Sequence, residues 1–221
     1  MKTHPIIFKA DMVNAILAGR KTQTRRIAKI DQTNYGDLKD IRIITRPEKL
    51  SGQPLAVFES KKVEHSVGFV SPWKVRDQLW VRETFGYQVV NLGGTPHEQI
   101  IYRASNPSKS VPIKWKPSIH MPCSASRITL EITGIRIERL QDISNDDAIA
   151  EGAQNFQELP SIHPYGLDAR WSMENPTATD QCLYNPHAAF LNYFYKAYGF
   201  TKAINPWVWV IEFQKITGSI V

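Results

Sequence analysis

Alternating hydrophobic and polar residues predict three strands. In RITLEITGIRIERL, residues 127–140, hydrophobic side chains occupy positions 128, 130 and 132, and the alternation resumes in shifted phase at 135 and 137. The shift at Thr133 and Gly134 predicts a bulge or bend within one long strand. WVWVIEFQKI, residues 207–216, predicts a core strand. DQLWVRETFGY, residues 77–87, predicts a third strand, with Leu79, Val81 and Glu83 on one face.

Three short helices are predicted from spacing and end signals. MVNAILA, residues 12–18, places its hydrophobic residues on one helical face, NDDAIA follows as residues 145–150, and HAAFLNYFYKAY spans residues 187–198. Each segment has a capping residue before it and a glycine after it. The expected N-caps are Asp11, Ser144 and Asn185, and the expected terminating glycines are Gly19, Gly152 and Gly199.

The remaining segments indicate strands, loops and insertions. KTQTRRIAKI, residues 21–30, is polar and alternating, which predicts a strand or extended loop at the protein surface. Residues 28–72 show no clear period, and residues 153–183 are rich in Pro, Ser, Asn and Thr. Strands outnumber short helices without a strict βαβ order, so an α+β fold around a strongly bent sheet or barrel is favoured. We expect one domain over residues 1–221, with insertions at about 28–72 and 153–183.

Composition indicates an ordinary globular chain of 221 residues, with 42% hydrophobic and 22% charged residues. No run of some 18 apolar residues is present, and Pro5, Lys9 and Asp11 interrupt the first segment where a secretory signal would be continuous. Cys123 and Cys182 lie far apart and suggest reduced thiols. We therefore expect a cytoplasmic protein without a membrane partner or a cofactor.

Positive charge is concentrated in the first quarter of the chain. Residues 1–50 contain eleven Lys or Arg and five Asp or Glu, whereas the other residues contain sixteen of each. Such a segment could attract phosphate backbones, or it could be a solvated basic surface. Charge alone does not choose between these interpretations.

The run ILAGRKTQTRR, residues 16–26, resembles the N-terminal signature of the ASCH family, in which Gly, Lys and Arg recur at the spacing of Gly19, Lys21 and Arg26. Three further segments follow in the family's order: DQLWVRETF, RITLEITGIRIERLQDISNDDAIAEG and NPWVWVIEF. Together they resemble the ASCH proteins of phages and prophages. The resemblance implies a PUA-like (ASCH) bent β-barrel with short flanking helices and inserted loops, and it implies RNA or a modified nucleoside as partner.

One branch of this superfamily comprises small amidohydrolases that deacetylate N4-acetylcytidine. Carried over by motif, its functional residues fall on Lys21, Thr24 and Glu151. This sequence keeps all three residue types, although its length, its insertions and the WVRET strand differ from that branch. The resemblance therefore implies an amidohydrolase acting on an acylated nucleoside or a related RNA-linked substrate.

Amide hydrolysis needs a nucleophile, a proton acceptor and groups that stabilise the developing oxyanion. Thr24 could supply a hydroxyl, and Lys21 could act as a general base or as an oxyanion stabiliser. Because Lys21 and Thr24 would point to opposite faces of an ideal strand, Lys21 must lie in the turn before it. Glu151, at the end of a short helix, could transfer a proton or bind the amino group of a base. Alternatively, these residues belong to a polar surface strand and a solvent-facing helix.

Other residues are candidates for substrate binding. Arg26 and Arg82 could bind a phosphate or a nucleobase edge, and Trp73 or Trp80 could stack on a base or belong to the core. Glu83 and His120 could line the cleft, and an exposed ion pair is the alternative for Glu83.

A structural zinc site is a rival interpretation of His120, Cys123, Cys182 and His187, but their spacing does not match a finger pattern, so no metal is expected. Three other functions stay open beside the amidohydrolase: a non-catalytic RNA- or nucleotide-binding module, a ribonuclease, and a structural or assembly protein of a phage. Sequence does not indicate the oligomeric state.

Overall fold

A computed structural model describes residues 1–30, 38–45, 53–60, 66–106, 113–160 and 168–216. Within these ranges, the side chains of residues 38–45, Ser60 and Leu92 are left undescribed. The strands are β1 Thr3–Ile7, β2 Gln23–Ile27, β3 Leu38–Thr45, β4 Pro54–Ser60, β5 Ser66–Val70, β6 Gln78–Arg82, β7 Phe85–Leu92, β8 Thr95–Tyr102, β9 Thr129–Arg139, β10 Gln154–Asn155, β11 Trp171–Ser172 and β12 Trp207–Ile216. The α-helices are α1 Ala10–Leu17, α2 Asn145–Ala150 and α3 Pro186–Tyr198. This content confirms the α+β class.

The central sheet has five strands in the order β1-β6-β9-β12-β2. β1 is parallel to β6, and the other neighbours are antiparallel. β1 and β2 are consecutive strands joined by α1, yet they form the two opposite edges of the sheet. Among the described strands they do not pair with each other, so the sheet is not closed into the barrel that we expected.

Smaller sheets flank the central one. β3, β4 and β5 form an antiparallel three-stranded sheet within the first predicted insertion, and β10 and β11 form a two-stranded sheet within the second. Parts of both insertions, residues 31–37, 46–52, 61–65 and 161–167, lie outside the described residues. β7 and β8 form a hairpin whose eight paired positions run from Phe85 and Tyr102 to Leu92 and Thr95. The extent of the domain and of its insertions stays a prediction.

The helix ends follow the predicted signals with one exception. Ser144 accepts a hydrogen bond from the Asp147 amide, and Asn185 accepts one from the Ala188 amide, as N-caps do. Asp11 is not the N-cap of α1, because the helix begins two residues earlier than predicted and Lys9 occupies the cap without a side-chain hydrogen bond. Gly199 ends α3 in the left-handed conformation, where a glycine has no Cβ to clash.

The long strands β9 and β12 form the centre of the core. Their pairing shifts register between Glu212 and Phe213, whose partners are Gly134 and Ile132, so Thr133 is the extra residue of the predicted bulge. On β12, five consecutive residues from Trp207 are buried. Val208 packs against residues of α3, and Trp207 and Trp209 pack against Phe58 of β4. None of the described helices is both long enough and apolar enough to cross a membrane.

β2 corrects the expectation of a surface strand. Thr24 and Arg25 are buried, and the strand pairs with β12 through all five of its residues. The polar residues of this segment are therefore interior residues with specific partners, and those partners define the candidate site.

Candidate functional site

A cavity of about 440 Å³ lies beside the free edge of β2. β1 and β2 contribute one wall, and the aromatic residues of α3 contribute the opposite wall. Its polar residues come mainly from β2, together with Glu151 at the end of α2. The lining residues are Pro5, Ile6, Ile7, Lys9, Met12, Thr24, Arg25, Arg26, Trp73, Glu151, Phe190, Tyr193, Phe194, Ala197 and Tyr198.

Lys21 and Glu151 form a buried ion pair at this site. The Lys21 Nζ lies 2.5 Å from Glu151 Oε2, and the two side chains are 0% and 1% exposed. Lys21 precedes β2, which begins at Gln23, so it lies in the turn as the sequence argument required. Glu151 follows α2 directly, as its C-cap residue. Two residues 130 positions apart are thus joined where a turn and a helix end meet.

The Lys21 ammonium is fully engaged by protein acceptors. Besides Glu151 Oε2 it donates to the Gln23 carbonyl at 2.7 Å and the Glu151 carbonyl at 2.8 Å. These three acceptors match the three donors of an ammonium. Burial lowers the pKa of Lys21 from its ordinary 10.5, and the attraction of Glu151 opposes this effect.

Arg25 holds the same carboxylate from the other side. Its Nη1 donates to Glu151 Oε1 at 3.2 Å, its Nε donates to Glu138 at 2.8 Å, and its Nη2 donates to Asp147 at 2.9 Å. The guanidinium is itself buried, so these three carboxylates are needed to compensate its desolvation. Glu151 is therefore fixed between two cations, with β9, α2 and β2 tied together around it.

Asp147 extends this network to the surface. It also accepts from Arg136 at 2.5 Å and from the Gln23 amide at 2.9 Å. Partial burial alone would raise the pKa of Asp147, but the Gln23 hydrogen bond and the charges of Arg136 and Arg25 outweigh it and hold the pKa below 3.8. The ionised carboxylate is therefore part of the folded structure down to acidic pH.

Thr24 and Arg26 lie two residues apart on β2, and both side chains are on the inner face of this strand. The Thr24 side chain is 0% exposed, and its Oγ1 accepts from Arg26 Nη1 at 3.0 Å. Arg26 Nη2 also donates to the Ile7 carbonyl of β1 at 3.0 Å, so one guanidinium spans the two edges of the sheet. Both residues line the cavity, together with Glu151.

The sequence argument did not identify the aromatic residues of α3 that form the opposite wall of the cavity. Phe190, Tyr193, Phe194 and Tyr198 recur at intervals of three, one and four residues, which places them on one face of α3. That aromatic stripe was a signal in the sequence, but it equally predicts an ordinary core face. Tyr193 is 5% exposed, and its hydroxyl has no hydrogen-bond partner among the described residues. Burial raises its pKa, so the phenol stays protonated.

Four residues predicted to bind substrate lie elsewhere. Trp80, Arg82, Glu83 and His120 do not line the cavity. The guanidinium of Arg82 stacks 5.3 Å from the Trp80 ring and donates to the Ile119 carbonyl. Glu83 is buried and accepts two hydrogen bonds from Arg127, at 2.8 and 2.9 Å, so it belongs to an ion pair that is not exposed. His120 is exposed in a 3-10 turn.

The four candidate zinc ligands do not assemble. Across the described ranges, no three or more His, Cys, Asp or Glu side chains form a group that could hold a metal ion. His187 instead places its Nε2 3.2 Å from the Gln141 carbonyl, and Cys182 is buried as a free thiol. The described structure therefore does not support a zinc site at these four residues.

Comparison with known proteins yields one structural likeness. No protein-family model matches the chain, and no curated protein matches it. A solved structure, an ASCH domain from Lactobacillus crispatus JV V101, is similar at 13% identity with a TM-score of 0.36. The likeness covers 97% of this chain and 79% of that one. A TM-score of 0.36 does not establish a common fold.

Proposed function

We propose that this chain is an amidohydrolase that acts on an acylated nucleoside such as N4-acetylcytidine in the cavity beside β2. The observation that carries the proposal is the fixed carboxylate of Glu151, held between Lys21 and Arg25 in the wall of a cavity that Thr24 also lines. Lys21, Thr24 and Glu151 are the three residues to which the ASCH amidohydrolase motif was carried over. They come from two segments 130 residues apart in sequence.

The proposed chemistry assigns one role to each residue. The Thr24 hydroxyl attacks the acyl carbon, and its proton passes to the Glu151 carboxylate, which returns it to the leaving nitrogen. Water then releases the acyl group as a carboxylic acid, so the overall reaction is amide plus water giving acid plus amine. Lys21 has no donor left for a substrate, which favours a role in orienting Glu151 over a role as oxyanion stabiliser.

The shape of the cavity supports a nucleoside as ligand. A volume of about 440 Å³ falls in the range of small-molecule sites, and aromatic side chains form one wall. Such walls can stack on the flat face of a base, while Thr24, Arg26 and Glu151 face its polar substituents. No part of this argument requires a cofactor or a metal ion.

A non-catalytic nucleoside- or RNA-binding module is the second candidate. It is favoured by the complete burial of Thr24, since a hydroxyl at 0% exposure is not accessible to a substrate in this conformation. A ribonuclease would use the same basic residues near a scissile phosphate. Of the cations in residues 1–50, however, Lys21 and Arg25 are buried in ion pairs and add nothing to a basic surface.

The decisive experiment follows cytidine by mass spectrometry after incubation of the purified protein with N4-acetylcytidine. We expect turnover by the wild type and a loss of at least about a hundredfold in Thr24→Ala and in Glu151→Gln. Thr22→Ala and Glu158→Gln are matched controls, because both residues are exposed and neither lines the cavity. Their rates should stay within about twofold of the wild type.

A folded wild type that releases no cytidine would reject the hydrolase. Binding of the nucleoside without turnover would then support the binding module. Cleavage of an RNA chain would support the ribonuclease, and salt-sensitive RNA affinity without cleavage would support an RNA-binding module.

A further inference from the structure

Thr24 is buried in this structure, and its hydroxyl accepts a hydrogen bond from another residue of its own strand. Its side chain faces the interior of the curved sheet beside Ile211, its Cα partner on β12. Arg26, two residues along β2, faces the same side and donates to Thr24 Oγ1 at 3.0 Å. The guanidinium is therefore in direct contact with the hydroxyl, and both residues line the cavity.

The Arg26 guanidinium also connects β2 to β1, which are the two edge strands of the central sheet. Its Nη2 donates to the Ile7 carbonyl of β1 at 3.0 Å, and its Nη1 donates to the Arg25 carbonyl at 3.1 Å. Its central carbon lies 5.3 Å from the Phe8 ring centroid. No carboxylate contacts Arg26 among the described residues, in contrast to Arg25, which has three.

This difference in partners determines which arginine can move. Arg25 is buried among carboxylates, and breaking those pairs would leave uncompensated charges in the interior. Arg26 is only half-buried, and its acceptors are a hydroxyl and two neutral carbonyls. A long side chain of this kind can exchange one neutral acceptor for another at small cost, because the number of hydrogen bonds is preserved.

We propose that Arg26 is a gate over Thr24, and that the acyl carbonyl of a substrate opens it by replacing Thr24 Oγ1 as acceptor of Nη1. The exchange uncovers the hydroxyl and brings the acyl carbon beside it. The same guanidinium then faces the oxygen on which negative charge develops during attack. This inference rests on the proposed function for the identity of the substrate, but the covering of Thr24 does not depend on turnover.

The covering is tested by the accessibility of position 24. In a Thr24→Cys variant, we expect iodoacetamide to modify the introduced thiol slowly, and at least about tenfold faster when Arg26→Ala is added. Rates are compared at their high-pH limit, because loss of a neighbouring cation also changes the thiol's ionisation. Peptide mass spectrometry separates this thiol from Cys123 and Cys182.

Two further variants make the result specific. Arg26→Lys keeps the charge but cannot bridge two acceptors with a planar fork, so it should also accelerate labelling. Arg20→Ala is the matched control, because Arg20 is exposed and contacts only the Gly152 carbonyl at 3.5 Å in the described structure. Equal labelling rates in the Arg26 and Arg20 variants would overturn the gate.

The proposed role of the acyl carbonyl is tested by measuring nucleoside binding to a Thr24→Ala variant, in which hydrolysis does not consume the ligand. We expect N4-acetylcytidine to bind roughly tenfold more tightly than cytidine, and Arg26→Ala to abolish that preference. An unchanged preference, or no binding of either nucleoside, would overturn the role of the acyl carbonyl. A wild type that binds but does not hydrolyse would reject the hydrolase and leave both gate measurements valid.

Discussion

Lys21 and Glu151 meet at 2.5 Å with both side chains almost completely withdrawn from solvent. Burial of either charge alone would be costly, and the pair is tolerated because Arg25 and two backbone carbonyls complete the hydrogen bonding. This ion pair connects the turn before β2 to the end of α2. Stability and the geometry of the candidate site therefore depend on the same contact.

Removal of the lysine charge should be strongly destabilising. We expect Lys21→Met to lower the free energy of unfolding by about 3–5 kcal/mol, since Glu151 then stays buried with one cation fewer. Urea denaturation measures this change. Lys29→Met, at an exposed position two residues after β2, should alter stability by less than about 0.5 kcal/mol. A Lys21 variant as stable as the Lys29 variant would contradict the importance of the pair.

Because of Asp147, the stability of the folded chain should decrease at acidic pH. Its pKa is held below 3.8 in the folded chain, so its contribution is present above that value and is lost as the pH falls through the folded pKa. We expect Asp147→Asn to cost about 1–2 kcal/mol at pH 7, with a gap to wild type that closes below pH 3.8.

Unfolding in urea at several pH values measures that gap. Asp146→Asn is the matched control, because Asp146 is the exposed neighbour on the same helix turn. A difference between wild type and Asp147→Asn that persists unchanged at pH 3 would argue against the assigned charge interactions.

Substitution of Gly152 should be more costly than substitution of Gly199. Gly152 has a φ of +111°, and a Cβ there would lie 3.3 Å from the Ala15 Cβ and 3.7 Å from the Lys21 Cβ. Gly199 has a φ of +68° and open space around it. We expect Gly152→Ala to cost about 2–3 kcal/mol and Gly199→Ala about 1 kcal/mol. Thermal denaturation compares the two, and equal shifts would show that the contacts of Gly152 are not limiting.

Loss of the α2 cap should affect stability and the site together. Ser144→Ala removes the acceptor of the Asp147 amide, which should cost about 1 kcal/mol. Because α2 has only six residues and Glu151 follows it directly, fraying displaces that carboxylate and lowers nucleoside affinity. Ser66→Ala, at an exposed position of β5, should change neither quantity. Calorimetric titration with cytidine beside denaturation separates the two effects.

Local signals in the sequence predicted local structure well. The caps at Ser144 and Asn185, the bulge at Thr133 and the core strand β12 are all confirmed, because each depends on residues within a few positions of one another.

The prediction that β2 lies at the protein surface was wrong, because the location of this strand depends on residues that are distant in sequence. Thr24, Arg25 and Arg26 form a polar run that favours a surface strand, and only Glu138, Asp147 and Glu151 make the burial of Arg25 possible. β1 and β2 both line the cavity, and likewise no local signal in the sequence predicts that these two edge strands lie near each other. Trp80 and Arg82 were proposed from the chemistry of their side chains, and Glu83 from its position at a strand end. Neither argument could anticipate the partners that these residues have.

The pairing of β2 with β12 constrains when the site can exist during synthesis. A ribosome makes residues 23–27 early, but their strand partners at 208–212 emerge only after nearly two hundred more residues. Until then the Arg25 guanidinium lacks the strand scaffold that brings Glu138 and Glu151 to it. The nascent chain must keep this charged segment hydrated, and the candidate site can form only once β12 has been translated.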